Sequence, residues 1–409
     1  MQTIIIKAGK EKQLVRHHPW VFSGAIDTKP SALETGASRV ESFDHRFIAW
    51  GWYDGKSHIP LRLLSWDETE TIDDGWFKKT IAQSVMSRAP FFADKQGGTT
   101  TFRIIYGEAD FLPGLVVDVY GTMLLITISA RIAWDQRELI AETLEGLLSP
   151  TLILLTVDSA FAGAEQLKEA TLYRQDGAWF TPAKRLEPVR FREDSILYEI
   201  IPGTGQKSGF YCDRREIRMR MEAYAHDAVV LDLGSYTGAF ALHALRGGAA
   251  HVDLIDSSAS ALEQAVHHIA INEEAGVIPK GSSSRITTKT ADMFEQLRTI
   301  ANDHYNLIII DPPKLASTKA QTEGALKAYK DLNRLAMERI RHNGIIVSLS
   351  SSGNVTAEML RLMLAFSATD AHVEVQILHW FSHDEDHPIR LSFPESSYLN
   401  GYLVRVLRR

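Results

Sequence analysis

Apolar and polar positions change their period along this chain, and the changes mark out three regions. Up to about residue 70 the apolar runs are short: Thr3–Ile6, Phe47–Trp52 and Ile59–Leu64. Turn signals such as Asp54-Gly55 separate them, which predicts a small all-β domain. Between about 71 and 195 the pattern is mixed. Helical stretches are expected over Trp76–Arg88 and Trp134–Leu148, and strands over Leu115–Val119, Met123–Ser129, Leu152–Val157 and Leu197–Ile200. From about 196 to 409 short apolar strands alternate with helices. The strands are Val229–Leu233, Val252–Ile255, Ile286–Thr288, Leu307–Ile310 and Ile345–Leu349; the helices are Phe240–Arg246, Ala259–Asn272, Met293–Asn302 and Gly324–Arg341. Such alternation predicts a parallel sheet covered on both faces. Two last runs, Val373–Trp380 and Tyr398–Leu407, flank the turn-rich Asp384-Glu-Asp-His-Pro388 and are expected to pair antiparallel at the sheet edge.

Composition narrows the class of protein. A chain of 409 residues exceeds one compact core, and 45% hydrophobic with 23% charged residues is ordinary for a folded globular protein. A formal net charge of −7 argues against general polyanion coating but permits a local basic groove. The single cysteine, Cys212, excludes an internal disulfide framework, and its plain reading is a small buried hydrophobe. No signal peptide and no apolar run of membrane length is found, so the expected location is the cytoplasm, with no membrane partner.

Chemistry concentrates in the last region. In Val229-Val-Leu-Asp-Leu-Gly-Ser-Tyr-Thr-Gly-Ala-Phe240 a buried strand enters a glycine turn and then a helix, which aims backbone N–H groups at a ligand. The spacing Gly234-x-x-x-Gly238 departs from the dinucleotide fingerprint, yet such a helix terminus can hold a carboxylate. The next strand ends in Asp256, 22 residues beyond Gly234, where an acid can accept both hydrogen bonds of a ribose diol. The plain alternative is a glycine turn with a helix-capping aspartate. A second signal, Leu307-Ile-Ile-Ile-Asp-Pro-Pro-Lys314, places Asp311 at the carboxyl edge of a buried strand. Pro312 and Pro313 stiffen the loop and leave carbonyls free to accept from an amine. A third, Gly205-Gln-Lys-Ser-Gly-Phe-Tyr-Cys-Asp-Arg-Arg215, is polar, aromatic and basic just before the first strand of the alternating region. Its alternative is a surface turn.

Together these segments resemble the bacterial class I ribosomal RNA large-subunit methyltransferase I family. His18-Pro-Trp-Val-Phe-Ser-Gly24 is similar to its opening signature and Tyr106-Gly-Glu-Ala-Asp-Phe-Leu-Pro-Gly114 to its middle-domain signature. Gly205–Tyr211, Ser235–Gly238, Asp256-Ser257, Asp292-Met-Phe294 and Asp311–Lys314 follow in register. The resemblance implies an α/β fold: a seven-stranded Rossmann-like methyltransferase sheet (196–409) after an all-β PUA-like RNA-binding domain (1–70) and an α+β middle domain (71–195). It implies S-adenosyl-L-methionine as cofactor, touched by Gln206, Lys207, Ser235, Thr237, Asp256 and Asp292, the last near the adenine amine. Phe210, Asp232, Gly234, Tyr236, Gly238, Ser257 and Met293 belong to the same motifs. Asp311, Pro312, Pro313 and Lys314 would face the target base. RNA, 23S ribosomal RNA by the resemblance, is the implied partner, and a homodimer is left open.

One position departs from the family. Methylation of cytosine at C5 uses a cysteine nucleophile in a Ser-Cys-Ser-Gly segment; here that segment is Ser350-Ser-Ser-Gly353, with Ser351 in the cysteine position. The readings are therefore an RNA methyltransferase acting at cytosine C5, one acting at an exocyclic base nitrogen, or an RNA-binding protein that keeps the cofactor without transfer. No metal site is expected, since the 15 histidines lack ligand spacing and His267-His268, adjacent on a helix, point about 100° apart. Lys7, Lys10, Lys12, Arg16, His17 and His18 form a basic strip, solvated surface or RNA contact. Lys207–Arg220 carries five basic residues against two acidic ones, where phosphates would help position a base.

Overall fold

The computed structural model describes residues 2–93, 98–163, 165–205 and 209–408. They fall into two compact units: residues 1–191 with 200–204 and 386–396, and residues 192–199 with 205–385 and 397–409.

The first unit contains two sheets. Strands β1 (Gln2–Ile5), β2 (Trp20–Val21), β3 (Gly36–Glu41), β4 (Phe47–Tyr53) and β5 (Leu61–Ser65) form one, in the order β1-β3-β4-β5-β2. A short helix, α1 (Lys12–Val15), carries part of the basic strip, with Lys12 and Arg16 exposed. The second sheet takes β6 (Thr101–Tyr106), β7 (Leu115–Tyr120), β8 (Met123–Ile128), β9 (Leu152–Val157), β10 (Thr171–Gln175) and β11 (Ala178–Phe180), ordered β11-β10-β9-β8-β7-β6. Helices α2 (Asp74–Ser87), α3 (Ala89–Ala93), α4 (Arg131–Asp135), α5 (Arg137–Leu148) and α6 (Ser159–Ala162) accompany it. The single helix expected over Trp134–Leu148 is two helices that meet at Gln136, where φ −93 and ψ 7 leave helical geometry. Trp50 and Leu64 of the first sheet share one core with Trp76, Phe77 and Ile81 of α2 and with Phe102, Val117 and Leu155 of the second.

A two-stranded sheet follows, β12 (Val189–Glu193) with β13 (Ile196–Ile200), and then α7 (Arg215–Glu222). The second unit is built on seven strands: β14 (Val229–Leu233), β15 (His251–Asp256), β16 (Ile286–Thr290), β17 (Leu307–Ile310), β18 (Ile345–Ser350), β19 (Glu374–Phe381) and β20 (Asn400–Leu407). Their order is β16-β15-β14-β17-β18-β20-β19. The first five are parallel, and β20 lies antiparallel between β18 and the edge strand β19, as the patterning predicts. The chain reverses direction beside β14, between β15 and β17, so the carboxyl ends of these strands frame the crevice where open α/β sheets take ligands. Helices α8 (Ala239–Arg246), α9 (Ala259–Glu274), α10 (Met293–Thr299), α11 (Thr322–Arg339) and α12 (Ala357–Asp370) supply the connections. The sequence reading passes over α12, although Thr356 caps it through a bond from the Met359 N–H at 3.2 Å. Leu231, Leu233, Ile308 and Ile310 bury one sheet face against α11 and α12 through Leu332, Ala336, Leu360 and Leu364. The segment expected to be a simple turn between β19 and β20 is longer than that: residues 386–396 pack within the first unit.

Candidate active site

The crevice is shaped first by its glycines. Gly234 (φ +78) follows β14 so closely that a Cβ there would lie 2.3 Å from the Asp311 carbonyl oxygen. Gly238 (φ +81) precedes α8, and a Cβ would lie 2.8 Å from the Ala265 Cβ. Between them Tyr236 also adopts a left-handed φ of 48°, a conformation that is uncommon for a bulky side chain and is held by surrounding bonds. The Tyr236 N–H donates to Asp256 Oδ2 at 2.9 Å, and the Ser258 N–H donates to Asp256 Oδ1 at 2.9 Å. Asp256 thus shapes the turn as well as ending β15, and each oxygen keeps a further lone pair for a ligand hydroxyl.

Ser235 is buried, and among the described residues its Oγ has no hydrogen-bond partner. Thr237, also buried, donates to the Gly209 carbonyl at 3.2 Å. Met293 reaches the same turn: its Cε would be 3.3 Å from a Cβ on Gly234. Asp292 caps α10, its Oδ1 accepting from the Phe294 and Glu295 amides at 2.9 and 3.1 Å, while Oδ2 has no hydrogen bond among the described residues. Ser257 is exposed. Phe210 instead packs inside, 1% exposed, with its ring 4.6 Å from Tyr198 and under the Arg218 guanidinium. Gln206 and Lys207 lie outside the described residues. Asp232 is fully buried on β14; burial, aided by the charges of Asp311 and Asp256, pushes its carboxyl well above the usual range, against the pull of the Ala241 backbone N–H.

On the other side of β14, Asp311 follows β17. Arg214 grips it: Nε lies 2.7 Å from Asp311 Oδ2 and Nη2 donates to Oδ1 at 3.2 Å. Arg214 also donates to Asp213 Oδ1 at 2.6 Å, and Tyr398 Oη bonds the second Asp213 oxygen. Burial raises the Asp311 carboxyl above its ordinary value, and the Arg214 cation pulls against that rise. Sequence reasoning placed Asp213 and Arg214 in a motif without a role, and it missed Tyr398 altogether. The arginine at that position, in a basic motif preceding the sheet, was the available signal.

Pro312 is buried, while Pro313 and Lys314 are exposed at the rim. The loop is tied to the one after β18 by Ser352, whose Oγ accepts from the Leu315 and Ala316 amides at 3.1 and 3.1 Å. Ser351 sits half-buried in that second loop, and among the described residues its hydroxyl has no hydrogen-bond partner. Of the two adjacent histidines, His268 is buried and bonds the Thr237 carbonyl at 3.0 Å, whereas His267 turns outward to Glu199.

The comparisons with known proteins bear on this geometry. Residues 110–379 match the S-adenosylmethionine-dependent methyltransferase family model, and residues 4–66 match a PUA-like domain. The Ribosomal RNA large subunit methyltransferase I of Aeromonas salmonicida is 34% identical over 405 residues, covering 98% of each chain. The chain belongs to that family. The protein of the same name from Escherichia coli O157:H7 is 33% identical over 99% of each chain. A crystal structure of a chain assigned as a methyltransferase, complexed with SAH, shares the fold with a TM-score of 0.81 at 20% identity, covering 99% of this chain and 100% of that one. A Streptococcus mutans chain assigned as a SAM-dependent methyltransferase matches at 0.80 and 19%, with coverage of 99% and 100%. The family member described here is an S-adenosylmethionine-dependent methyltransferase. Its residues fit the cofactor: two glycines let the turn pack tightly against Asp311 and Ala265, and among the described residues the buried Ser235 Oγ of that turn has no hydrogen-bond partner.

Proposed function

We propose that this enzyme methylates a base of large-subunit ribosomal RNA in the cytoplasm, with its PUA-like region adding RNA affinity. The observation that carries this reading is the alignment with ribosomal RNA large subunit methyltransferases I over 98% of both chains, PUA-like region and catalytic sheet alike. The cofactor, when bound, supplies an electrophilic methyl group on a sulfonium sulfur. The turn from Gly234 to Gly238 would receive its methionine end, Asp256 the ribose diol and Asp292 the adenine amine; Gln206 and Lys207 complete the proposed set. On the substrate side the Pro312 and Pro313 carbonyls would accept from a base, and the exposed Lys314 would meet a phosphate.

The family resemblance points to cytosine C5. That carbon needs a nucleophile added at C6, because the ring carbon alone attacks a sulfonium poorly. Ser351 stands in the nucleophile's position, and among the described residues no histidine or lysine is hydrogen-bonded to it to serve as its base. This favours a second reading, transfer to an exocyclic nitrogen, which brings its own lone pair. The test is incubation of the protein with tritiated S-adenosylmethionine and ribosomal RNA lacking the modification, followed by nuclease digestion and mass spectrometry. Label in large-subunit RNA supports the function, and the labelled nucleoside decides between carbon and nitrogen. Cofactor binding without transfer to any ribosomal RNA would overturn it.

A further inference from the structure

At the amino-terminal edge of the seven-stranded sheet, opposite the cofactor crevice, lies a cavity of about 500 Å³. Its polar lining comes from Tyr224, His226, Asn306, Asn343 and Arg405. Four strand positions build it. Ala228 precedes β14, Asn306 precedes β17, Asn343 sits in the turn before β18, and Arg405 lies on β20 opposite Ile345. Four to five residues of strand, at about 3.3 Å each, separate this edge from Asp311 by roughly 16 Å.

The lining is one-sided chemically. Asn306 Oδ1 accepts the Val229 N–H at 2.9 Å, which leaves its amide NH₂ as a donor. The Asn343 side chain, held at the surface by a left-handed backbone (φ 61), and the Tyr224 hydroxyl have no partner among the described residues. His226 turns Nδ1 to Asp227 at 3.2 Å, and among the described residues its Nε2 has no partner. Arg405 is half-buried, and among the described residues its guanidinium has neither an ion pair nor a hydrogen bond. Among the described residues no carboxylate lines the cavity; the nearest to a lining side chain is the exposed Asp227 beside His226. Just beyond it, Arg341 donates to the Asp303 carbonyl, and Arg408 takes up the Asp303 carboxylate at 2.9 Å. A partly desolvated guanidinium without counter-charge is costly, and the cost is removed by an anion that accepts its fork of donors.

We propose that this cavity binds a phosphate group, with Arg405 as the charged anchor and Asn306, Asn343, Tyr224 and His226 as neutral donors around it. Two sources share that chemistry: the backbone of the RNA, which rests on the proposed function above, and a free or small-molecule phosphate, which does not. The test compares full-length wild type with Arg405→Gln. One arm measures binding of a short fluorescein-labelled single-stranded RNA across a potassium chloride titration. The other titrates inorganic phosphate calorimetrically. S-adenosylmethionine affinity and thermal midpoint, expected to be unchanged, confirm that the variant is folded. If Arg405→Gln folds poorly, Tyr224→Phe and Asn343→Gly, which keeps the left-handed backbone, are read in the same titrations.

For an RNA phosphate, the slope of log affinity against log salt falls by about 0.7 on losing one contact. For a small phosphate, the salt slope stays put while inorganic phosphate binds about tenfold more weakly, as expected for a charge-assisted hydrogen bond. A wild type that binds no RNA sinks the RNA reading, and the phosphate arm then decides this cavity alone. Unchanged behaviour in both arms overturns the proposal.

Discussion

Arg214 and Asp311 form a buried ion pair at the carboxyl edge of β17, with Nε 2.7 Å from Oδ2. The same guanidinium holds Asp213, which Tyr398 holds in turn, and stands 4.9 Å over the Tyr211 ring. Three chain segments far apart in sequence, around 211–214, 311 and 398, are thereby locked to one charge. The loop that would face the substrate base is therefore positioned by a residue outside that loop.

Removing Arg214 leaves two buried carboxylates facing each other. Burial already raises Asp311, and without the cation it would rise further. A raised carboxyl pKa means the ionised form appears only at higher pH, so the acid limb of the methyl-transfer profile moves upward. Arg214→Met is expected to lose about a hundredfold in kcat/KM near neutrality, the size seen when one preorganised electrostatic contact at a reacting site is removed. Arg214→Lys should recover part of the rate and return the limb toward wild type. A pH–rate series on the three proteins reads this; an unmoved limb in Arg214→Met would show that Asp311 ionisation is irrelevant to transfer.

Asp256 accepts the Tyr236 and Ser258 amides and is the proposed ribose ligand. Asp256→Ala should weaken S-adenosylmethionine binding by roughly 2–4 kcal/mol, counting the partners left unpaired. Calorimetry checks it, and binding within twofold of wild type would reduce the acid to a structural cap of the turn.

Asp232 carries a stability prediction with a definite sign. Its carboxyl is buried and shifted upward, so between the ordinary aspartate value and the shifted one the folded state holds a proton that the unfolded state has released. Folding stability then falls as pH rises from the ordinary aspartate value toward the shifted one. Asp232→Asn removes that loss. Urea unfolding at about pH 5 and about pH 8 should show the variant gaining on wild type by about 1–3 kcal/mol at the higher pH. A constant difference at the two pH values would mean the carboxyl is satisfied in the fold.

Ser351 stands in the position proposed for the nucleophile. A thiol near a pKa of about 8.5 supplies a few per cent thiolate at neutrality, whereas a serine hydroxyl needs a neighbouring base. Expressed in cells lacking the activity, wild type is expected to install little or no 5-methylcytosine in ribosomal RNA, and Ser351→Cys to install more. Equal levels from the two proteins would remove Ser351 from the nucleophile's role, and a loss of that modification in Cys212→Ser would transfer the role to Cys212.

The sequence by itself determined what repeats locally. Strands such as Leu307–Ile310 and Val229–Leu233 are buried on both faces, so their unbroken apolar runs could belong only to the middle of a parallel sheet. Gly234, Gly238, Asp256 and Asp311 were legible because each stands at a fixed offset from such a strand end, where the fold's crevice must open. Tertiary structure alone decided the partners of charged side chains. Nothing local tells Arg214 to cross 97 residues to Asp311 or brings Tyr398 to Asp213, since a guanidinium reaches whichever carboxylate the packed backbone presents. The same holds for Trp50 and Leu64, which join the core of the second sheet. It also holds for Arg405: its place on β20 could be read from the sequence, but that no carboxylate among the described residues pairs with it could not.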